Sequence, residues 1–329
     1  MDQGESDFIL KRLENQTMAN YLVTGAAGFI GSKIAEELLA NHNTVTTIDN
    51  LSTGKRTVVP AGCRFIEGGV QDIDTINQLQ GERFDAIIHI AGQSSGEVSF
   101  ENPVYDLQTN AQSTLLLLDY AKKTGCKTFV YASSMSTYGD HPENPLVSEE
   151  TPTVPKSFYA VGKLASENYM RIFSSNFGIN CTALRFFNVY GAGQNMDNLK
   201  QGMASIFLAM AITDKAVLVK GAKDRFRDFV HVSDVVKSVL LAVEKGKGFN
   251  VFNVCTGIPT TVEQVINEIC RNLPYPVSVQ YTTGTPGDQH GIYGDYSKIQ
   301  KAFGWSPKYD FATGMKDMVK WAEKELVHE

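Results

Sequence analysis

A glycine-rich turn near the start of the chain restricts the possible folds more than any other feature. Gly25, Gly28 and Gly31 directly follow the apolar run Tyr21–Val23, and the amphipathic stretch Phe29–Ala40 begins among them. In a strand–turn–helix unit the first glycine permits a tight turn, the second lets the backbone approach a pyrophosphate, and the third lets helix and strand pack closely. Free N–H groups at the helix N-terminus would then bind the phosphates. The pattern predicts a dinucleotide-binding unit.

Short apolar runs continue to alternate with longer amphipathic stretches after this unit. Further strands are predicted at 44–48, 63–66, 84–90, 128–132 and 181–187, and helices at 109–123 and around Tyr159. Strands that are nearly all apolar and that alternate with helices are typical of a parallel sheet covered on both faces. The predicted fold class is therefore α/β: a Rossmann-type doubly wound parallel sheet with a smaller, discontinuous C-terminal α/β lobe that binds the substrate.

The rhythm of strands and helices weakens after Phe187, which sets the predicted domain boundaries. Residues 1–19 are expected to be an N-terminal extension, and residues 20–187 the NAD-binding domain, which a strand within 228–256 rejoins. Residues 188–227 and 257–329 would form the substrate-binding lobe. In such a fold the site lies between sheet and lobe.

Composition argues against several classes of function. With 30 basic and 36 acidic residues the net charge is -6, so neither nucleic acid nor a membrane surface is an expected partner. The five cysteines are scattered, and none forms a C-x-x-C pair, which predicts neither a disulfide framework nor a bound metal. A reducing, cytoplasmic setting and the absence of a signal peptide or membrane span are the corresponding expectations.

Asp49 ends the second predicted strand, 24 residues after Gly25, where a carboxylate can accept hydrogen bonds from the adenosine ribose. A 2′-phosphate at that place would face a negative charge, which favours NAD over NADP, although Lys55 and Arg56 weaken this inference. An ordinary turn carboxylate is the alternative for Asp49.

The predicted cofactor contacts extend beyond this carboxylate. Asp72, with Ile73, follows the third strand and is expected under the adenine, the alternative being a helix N-cap. The full predicted set is Gly25, Gly28, Phe29, Ile30, Gly31, Asp49, Asn50, Asp72, Ile73, Ala91, Gly92, Gln93, Tyr159 and Lys163.

Tyr159 and Lys163 are the residues that point to chemistry. Four positions apart on a helix, they share one face about a turn from each other. A free phenol titrates near pH 10, so a neighbouring ammonium is what would let Tyr159 act as a base near neutral pH. By itself the spacing is common in amphipathic helices, and its meaning depends on the other motifs.

Several further motifs together carry a family resemblance. They are Ser133–Gly139, Leu184–Gly191, Arg227–Val235, Asn253–Gly257 and Pro286–Asp288. With the glycine motif and the Tyr-x-x-x-Lys pair, they resemble the extended short-chain dehydrogenase/reductase family, in its NAD-dependent epimerase/dehydratase group. Within that group the chain looks most like the nucleotide-sugar 4-epimerases of the UDP-glucose and UDP-N-acetylglucosamine type, from Tyr21 to the C-terminus.

The resemblance implies roles for the residues around Ser134. Ser134 would hydrogen-bond the reacting sugar hydroxyl, Tyr159 would be the base and acid, and Lys163 would hold the cofactor ribose and lower the pKa of the tyrosine. A cap in a serine-rich turn is the alternative for Ser134. Relatives that dehydrate or decarboxylate carry an acidic residue one or two places after this serine, whereas this chain has Met135 and Ser136. Reversible oxidation at carbon 4 with tightly bound NAD is therefore the implied reaction.

Three other functions stay open at this point. A reductase of 4-keto sugars and a sugar dehydratase or decarboxylase belong to the same family, and a non-catalytic NAD-sensing protein uses the same fold. Such binding proteins typically lose the tyrosine or the lysine, which this chain keeps.

The substrate contacts also come from the resemblance. Asn188 and Arg227 match residues that meet the substrate diphosphate, and a planar guanidinium independently suits two phosphate oxygens. A surface ion pair with Asp224 or Asp228 is the alternative for Arg227 or its neighbour Arg225. The predicted set is Ser134, Ser136, Asn188, Arg225, Arg227, Asp288 and Ile292.

Two positions limit the prediction of the substrate, one at its phosphates and one at its sugar. Thr285 stands where many relatives have a phosphate-binding arginine. Ile292 stands where 4-epimerases carry either a bulky aromatic residue that excludes an N-acetyl group or a smaller one that admits it. Ile292 is intermediate in size, which favours tolerance of N-acetylated sugars without identifying the substrate.

A homodimer is the expected assembly. Leu115–Leu118 and the helix Tyr159–Phe173 offer more apolar surface than one sheet face needs, and in relatives these two helices form a four-helix interface. Packing in the core of one chain is the alternative.

Overall fold

The computed structural model describes residues 18–198, 202–283 and 290–326. The strands in this part of the chain are β1 (Asn20–Thr24), β2 (Thr44–Asp49), β3 (Arg64–Glu67), β4 (Ala86–His89), β5 (Thr128–Ser134), β6 (Leu146–Val147), β7 (Asn180–Phe186), β8 (Asn188–Tyr190), β9 (Ala216–Lys220), β10 (Phe226–His231), β11 (Phe249–Val254), β12 (Pro259–Thr261), β13 (Ser278–Thr282) and β14 (Tyr293–Gly294). The helices are α1 (Phe29–Ala40), α2 (Ile73–Asn77), α3 (Gly96–Glu101), α4 (Pro103–Leu107), α5 (Ser113–Thr124), α6 (Phe158–Phe177), α7 (Met203–Thr213), α8 (Val232–Lys245), α9 (Val262–Asn272), α10 (Ser297–Phe303) and α11 (Phe311–Leu326).

A seven-stranded parallel sheet forms the centre of the molecule, in the order β11-β7-β5-β4-β1-β2-β3. Its order reverses direction at β1, where the chain crosses from one half of the sheet to the other. Helices cover both of its faces. This arrangement confirms the predicted Rossmann-type fold class.

Neighbouring residues of β1 enter different cores, which explains why the central strands are mostly apolar. Val23 packs on the face covered by α1 and α8, whereas its neighbour Leu22 packs on the face covered by α5 and α6. Both side chains are fully buried. Because both sheet faces are covered, a polar residue in a central strand would be desolvated on either side.

The helix before the second half of the sheet differs from the prediction. We expected one helix over 109–123, but helical structure begins at Pro103 and passes through a π-helical turn at Gln108–Gln112 before α5. Such turns are frequent at functional sites because they re-aim side chains within a helix. Here the turn buries Thr109 and Asn110.

A smaller lobe built mostly from later residues packs against the sheet. Helices α7, α9 and α11 share one apolar core, which includes Leu208, Ile266 and Met318. Its short sheets contain few strands: β10 lies between β12 and β8, and β13 pairs with β9. The edge position of β11 in the large sheet ties this part of the chain back to β7.

Half of the leucine run assigned to a dimer interface lies inside the molecule. Leu117 and Leu118 are fully buried in the core beneath the sheet, because the helix turns these positions toward β4 and β5. Exposed apolar side chains lie nearby instead: Phe100, Val104, Leu107, Phe158, Val161 and Ile172. In the described residues, every helix is too short or too polar to span a bilayer.

Candidate active site

A cavity of about 470 Å³ opens at the C-terminal ends of β1, β2 and β4. This is the end of a parallel sheet at which ligands bind in open α/β folds. Ten of the residues predicted to contact the cofactor line it: Gly25, Gly28, Phe29, Ile30, Gly31, Asp49, Asn50, Ala91, Gly92 and Gln93.

The glycine loop forms one wall of this cavity and is too tightly packed for side chains at two of its positions. Gly25 has a φ of +82°, and a Cβ there would lie 2.8 Å from the backbone nitrogen of Ala91. A Cβ on Gly31 would lie 2.2 Å from the carbonyl oxygen of Gly25. At Gly28 a Cβ would meet only that oxygen, at 3.4 Å. The first and third glycines therefore shape the turn, while the second leaves open space beside the backbone.

The N-terminus of α1 provides donors at this wall. The first turn of α1 carries no acidic residue. Gly28 occupies the N-cap position before Phe29, and no side chain caps the helix there. Unpaired N–H groups at a helix start attract anions such as phosphate. This cradle fits the diphosphate of a dinucleotide.

Asp49 is held in place by backbone donors. Its Oδ2 accepts from the Ala27 nitrogen at 3.0 Å, and its Oδ1 accepts from the Leu51 nitrogen at 2.9 Å. The half-buried carboxylate still lines the cavity. It is fixed in a suitable place to accept hydrogen bonds from a ribose.

Asp72 and Ile73 are the residues predicted to lie under the adenine. Asp72 stands at the N-cap of α2 without a side-chain cap bond, and Ile73 is 53% exposed. Neither residue is among those that line the cavity, and their contact with the adenine stays a prediction. Val70 and Gln71, two residues earlier in the turn after β3, do line it.

Ser134, Tyr159 and Lys163 lie near one another, and none of them is among the residues that line the cavity. Ser134 ends β5, and Tyr159 stands in the first turn of α6, whose start is capped by Ser157 accepting from the Ala160 nitrogen at 3.1 Å. The hydroxyl of Ser134 lies close enough to the phenol of Tyr159 to lower its pKa, and it donates to the Ser136 hydroxyl at 3.1 Å. Ser134 also accepts from the backbone nitrogen of Ser136 at 3.1 Å, so it caps the following turn as well.

Lys163 lies one helical turn below the tyrosine in a closed environment. Its Nζ donates to the Ala132 carbonyl at 2.8 Å and lies 4.7 Å from the centre of the Tyr131 ring. The same atom is 5.6 Å from the centre of the Tyr159 ring. Lysine is buried to 4% exposure here, which is rare for this residue type.

Burial dominates the electrostatics of Tyr159 and Lys163. Burial raises the pKa of Tyr159 to about 12, against the opposing effect of the Ser134 hydroxyl, and Asp106 raises it further. Burial also lowers the pKa of Lys163 to about 7, with Asp106 acting in the opposite direction. Desolvation is the largest effect on both pKa values, because both groups are enclosed, and a lowering of the Tyr159 pKa by Lys163 stays a prediction.

A buried polar cluster beside these residues was not predicted. The Asp106 carboxylate accepts from the Gln93 side chain at 2.9 Å and from the Asn110 side chain at 3.3 Å. Gly162 makes the packing possible, because a Cβ there would lie 3.1 Å from the Asn110 side chain. Asp106 and Asn110 stand four positions apart in a polar stretch of the sequence, so no distinct local signal marks the cluster.

Helix α6, which carries Tyr159 and Lys163, is fixed to the sheet by a buried ion pair that the sequence alone did not reveal. Arg185 on β7 pairs with Glu167 on α6 through two hydrogen bonds of 2.9 and 2.7 Å. The hydroxyl of Ser133 donates to the same carboxylate at 2.5 Å. Because Ser133 directly precedes Ser134, this network holds helix and strand in one register at the site.

The predicted phosphate ligands lie on neighbouring strands. Asn188 begins β8 and Arg227 lies in β10, which runs parallel to β8 with Phe229 opposite Asn188. The Arg227 guanidinium donates to the Phe226 carbonyl at 2.7 Å. The buried Oδ1 of Asn188 accepts no hydrogen bond from the described residues, so it remains available to a ligand donor.

The remaining predicted substrate residues have mixed positions. Ile292 is 3% exposed and packs in a cluster with Tyr138, Phe187 and the partly buried Met135, next to Ser134. Arg225 donates to the Ala222 carbonyl at 3.1 Å on the rim of the lobe. Asp288 and Thr285 lie outside the described residues.

Asp228, which was considered as an ion-pair partner of Arg225 or Arg227, accepts hydrogen bonds from other residues. Its carboxylate accepts from the Thr256 nitrogen and hydroxyl at 2.8 and 2.7 Å, from Gly257 at 2.9 Å and from Gly294 at 3.1 Å. These bonds join the end of β11 to β10 and β14. Asp228 is therefore a structural residue of the lobe.

Several cavity residues come from segments that the sequence did not connect with the cofactor. They lie in the loop after β2, in the loop after β8 and in α11: Ser52, Thr53, Gly54, Lys55, Gly193, Gln194, Asn195, Met196, Asp197, Asn198, Trp321 and Glu325. No local motif marks them, since they meet only through the tertiary fold.

Comparisons with known proteins agree on one family. The model of the NAD dependent epimerase/dehydratase family matches residues 21–255. The UDP-glucose 4-epimerase of Thermotoga maritima, solved with UDP-glucose, is 34% identical with a TM-score of 0.89 and covers 93% of this chain and 99% of its own.

Two further solved structures share the whole fold. The UDP-glucose 4-epimerase of Thermus thermophilus, solved as a complex with NAD, is 33% identical with a TM-score of 0.85 over 92% of this chain and 98% of its own. The UDP-N-acetylglucosamine 4-epimerase of Methanobrevibacter ruminantium, solved with UDP-N-acetylmuramic acid, is 28% identical with a TM-score of 0.88 over 94% and 100%.

Proposed function

This chain belongs to the NAD dependent epimerase/dehydratase family, and we propose that it inverts carbon 4 of a UDP-hexose through a transient 4-keto sugar. It is an NAD-dependent isomerase of the 4-epimerase type. The two UDP-glucose 4-epimerases that share at least 33% of its residues support this reaction over reduction or dehydration.

One observation carries the proposal at the level of residues. Ser134 and Tyr159 lie close together beside a dinucleotide cradle, and the two residues after the serine, Met135 and Ser136, have no acidic or basic side chain. Elimination or decarboxylation needs a further acid or base next to the sugar. Inversion needs only one proton acceptor and donor at carbon 4.

The residues that would hold NAD are those of the cradle. Gly28 and the start of α1 would bind the diphosphate, and Asp49 the adenosine ribose. When bound, NAD supplies the acceptance and return of a hydride, together with the positive charge of its oxidised ring.

Tyr159 and Ser134 would handle the proton. The phenolic oxygen of Tyr159 takes the proton of the 4-hydroxyl while Ser134 hydrogen-bonds the same sugar oxygen, and the proton returns when the keto group is reduced. With a pKa of about 12 the phenol is protonated at neutral pH, so it needs added positive charge to act as a base. Lys163, with a pKa of about 7, carries its charge on half of the molecules near that pH.

Asn188 and Arg227 would bind the substrate diphosphate, and Ile292 would contact the sugar. The two strands that carry the polar pair run side by side, and Ile292 packs near Met135 beside Ser134. We propose that the substrate lies between β10 and the side chains of Ser134 and Tyr159. The buried, unpaired oxygen of Asn188 supports a polar ligand there.

The test is conversion of UDP-sugars by purified protein without added NADH. UDP-glucose, UDP-N-acetylglucosamine and their uronates are incubated separately, and the products are separated by chromatography. A 4-epimer is expected from at least one of them, and Tyr159→Phe should reduce its formation by about a hundredfold or more. A requirement for added NADH would instead identify a 4-keto-sugar reductase, and no conversion of any sugar would refute the proposal.

We also propose a homodimer in a reducing, cytoplasmic setting. The exposed apolar residues on α3, α4 and α6 include Val104, Leu107 and Val161, each more than half exposed. A patch of this kind marks an interface more often than open surface. Leu107→Asp should convert a dimer to a monomer in light scattering, and a wild type that is monomeric would contradict the assembly.

A further inference from the structure

A loop from the second half of the chain crosses the ribose end of the cofactor cavity. Residues 193–198, which follow β8, line the cavity opposite the loop after β2. The Asn195 amide donates to the Thr53 carbonyl at 3.2 Å. The Asp197 carboxylate pairs with the Lys55 ammonium, Oδ2 to Nζ, at 2.8 Å.

Lys55 stands next to the carboxylate proposed to bind the ribose. Its backbone nitrogen donates to the Ala27 carbonyl at 3.1 Å, and the Ala27 nitrogen donates to Asp49 at 3.0 Å. Asp49, Ala27 and Lys55 all line the cavity. A phosphate on the 2′-oxygen of that ribose would therefore meet Asp49 and have Lys55 as its natural counter-charge.

Among the described residues, the cation that follows Lys55 in the chain is engaged elsewhere. Arg56 stacks its guanidinium 4.3 Å from the centre of the Phe65 ring. Among the described residues that line the cavity, Lys55 is the sole lysine or arginine, against the three carboxylates of Asp49, Asp197 and Glu325. Whether a 2′-phosphate finds a positive charge in this cavity thus depends on Lys55.

We propose that Asp197 determines cofactor specificity by holding Lys55, so that the site accepts NAD and rejects NADP. This inference rests on the proposed function, because it assumes that the cavity binds a dinucleotide. Asp197 occupies the cation that a 2′-phosphate would need and adds a second negative charge to that of Asp49. Selection against NADP would then be shared by two acids that are far apart in the sequence.

The pair has little value as a stabiliser, which favours a role toward the ligand. The side chains of Lys55 and Asp197 are 57% and 62% exposed. Exposed ion pairs of this kind contribute little to folding stability. Replacing either residue should therefore leave the protein folded, so that changes in nucleotide binding can be measured cleanly.

The test compares binding of NAD⁺ and NADP⁺ to nucleotide-depleted protein by calorimetry. Asp197→Asn keeps the size of the side chain and removes its charge. Removing one charge near a doubly charged phosphate in a high-dielectric setting should tighten NADP⁺ binding by about fivefold to tenfold. Binding of NAD⁺ should change by less than about twofold, and the gain for NADP⁺ should shrink at high salt, since exposed charges are screened.

Two matched variants separate charge from loop position. In Lys55→Met/Asp197→Asn the gain for NADP⁺ should be mostly lost, because the released cation is missing. Asn195→Ala breaks the neighbouring contact of the same loop without a change of charge and should alter the affinities for both nucleotides by the same factor.

The inference is overturned if Asp197→Asn leaves the NADP⁺ to NAD⁺ affinity ratio unchanged, or if the full gain persists without Lys55. A wild-type protein that binds neither nucleotide would instead refute the proposed function. Nucleotide released on denaturing the protein as purified gives an independent reading: NAD from the wild type, and a measurable share of NADP from Asp197→Asn.

Discussion

Gly31→Ala is expected to destabilise the protein strongly, whereas Gly28→Ala should mainly weaken cofactor binding. The two glycines are three residues apart in the same turn, and the same methyl group is added at each. They differ in what that methyl meets. Gly31 faces the backbone of Gly25, while Gly28 faces open space beside the cavity.

The contact distances set the size of each effect. At Gly31 the Cβ would lie 2.2 Å from the oxygen and 2.6 Å from the carbon of the Gly25 carbonyl, far inside van der Waals contact. Overpacking of this kind costs about 1–3 kcal/mol and occasionally more. Alanine gains about 1 kcal/mol over glycine inside a helix. Because two rigid backbone segments would have to move apart, we expect the upper part of that range and a net loss of about 2 kcal/mol.

At Gly28 the steric term is small. Its Cβ would meet one atom, the Gly25 oxygen, at 3.4 Å, which is ordinary contact. Gly28 is the N-cap of α1, where alanine is worse than glycine by about 0.5–1 kcal/mol. The methyl would, however, stand where the backbone is expected to meet a diphosphate. NAD affinity should fall by about tenfold or more, which corresponds to about 1.4 kcal/mol.

Urea unfolding of nucleotide-depleted protein measures the first effect, since bound NAD would itself add stability. Equal slopes for both variants and the wild type would show that the midpoints can be compared directly. Calorimetric titration with NAD⁺ measures the second effect. A Gly31→Ala midpoint equal to that of the wild type, or a larger loss of stability for Gly28→Ala than for Gly31→Ala, would refute the reasoning from the contacts.

Three further predictions concern the catalytic helix and the sugar. Glu167→Gln should lower the free energy of unfolding in a urea titration by about 3–5 kcal/mol, because Arg185 stays buried without its carboxylate. The exposed Glu36→Gln should change it by under about 0.5 kcal/mol in the same titration, and similar losses for the two variants would contradict this. Lys163→Met should flatten the rise in unfolding free energy between pH 7 and 8.5, where the unfolded chain, with a lysine pKa of 10.5, binds more protons than a folded site with a pKa of about 7; a slope equal to that of the wild type would count against it. Ile292→Tyr should reduce turnover of UDP-N-acetylglucosamine relative to UDP-glucose, measured as the ratio of kcat/KM, and an unchanged ratio would remove Ile292 from the sugar pocket.

The strands and most helices could be predicted because local pattern and tertiary environment agree. Phe29–Ala40 and Phe249–Val254 were predicted with the bounds that the structure has, since each is a periodic apolar segment ended by polar or glycine residues. The helix from Pro103 was predicted to start too late. Its first part carries polar residues that are buried against the site, so the apolar periodicity on which the prediction relied is absent there.

Individual contacts were predictable where a motif fixes the backbone and unpredictable where a turn decides direction. The glycine loop and Asp49 follow directly from a strand–turn–helix unit. The directions of Asp72 and Ile73 depend on a turn of irregular geometry; both are exposed, while Val70 and Gln71 line the cavity. The pKa of Lys163 likewise depends on how completely the surrounding elements close over it.

The sequence by itself determined the parallel sheet, the nucleotide cradle and the presence of Ser134, Tyr159 and Lys163, because period, glycine spacing and helical repeat are properties of neighbouring residues. Only the tertiary structure decided which distant segments complete the site. Lys55 and Asp197 are 142 residues apart and meet because the loops that follow β2 and β8 both line the cavity. Such a meeting depends on the packing of the whole chain, and no local pattern contains it.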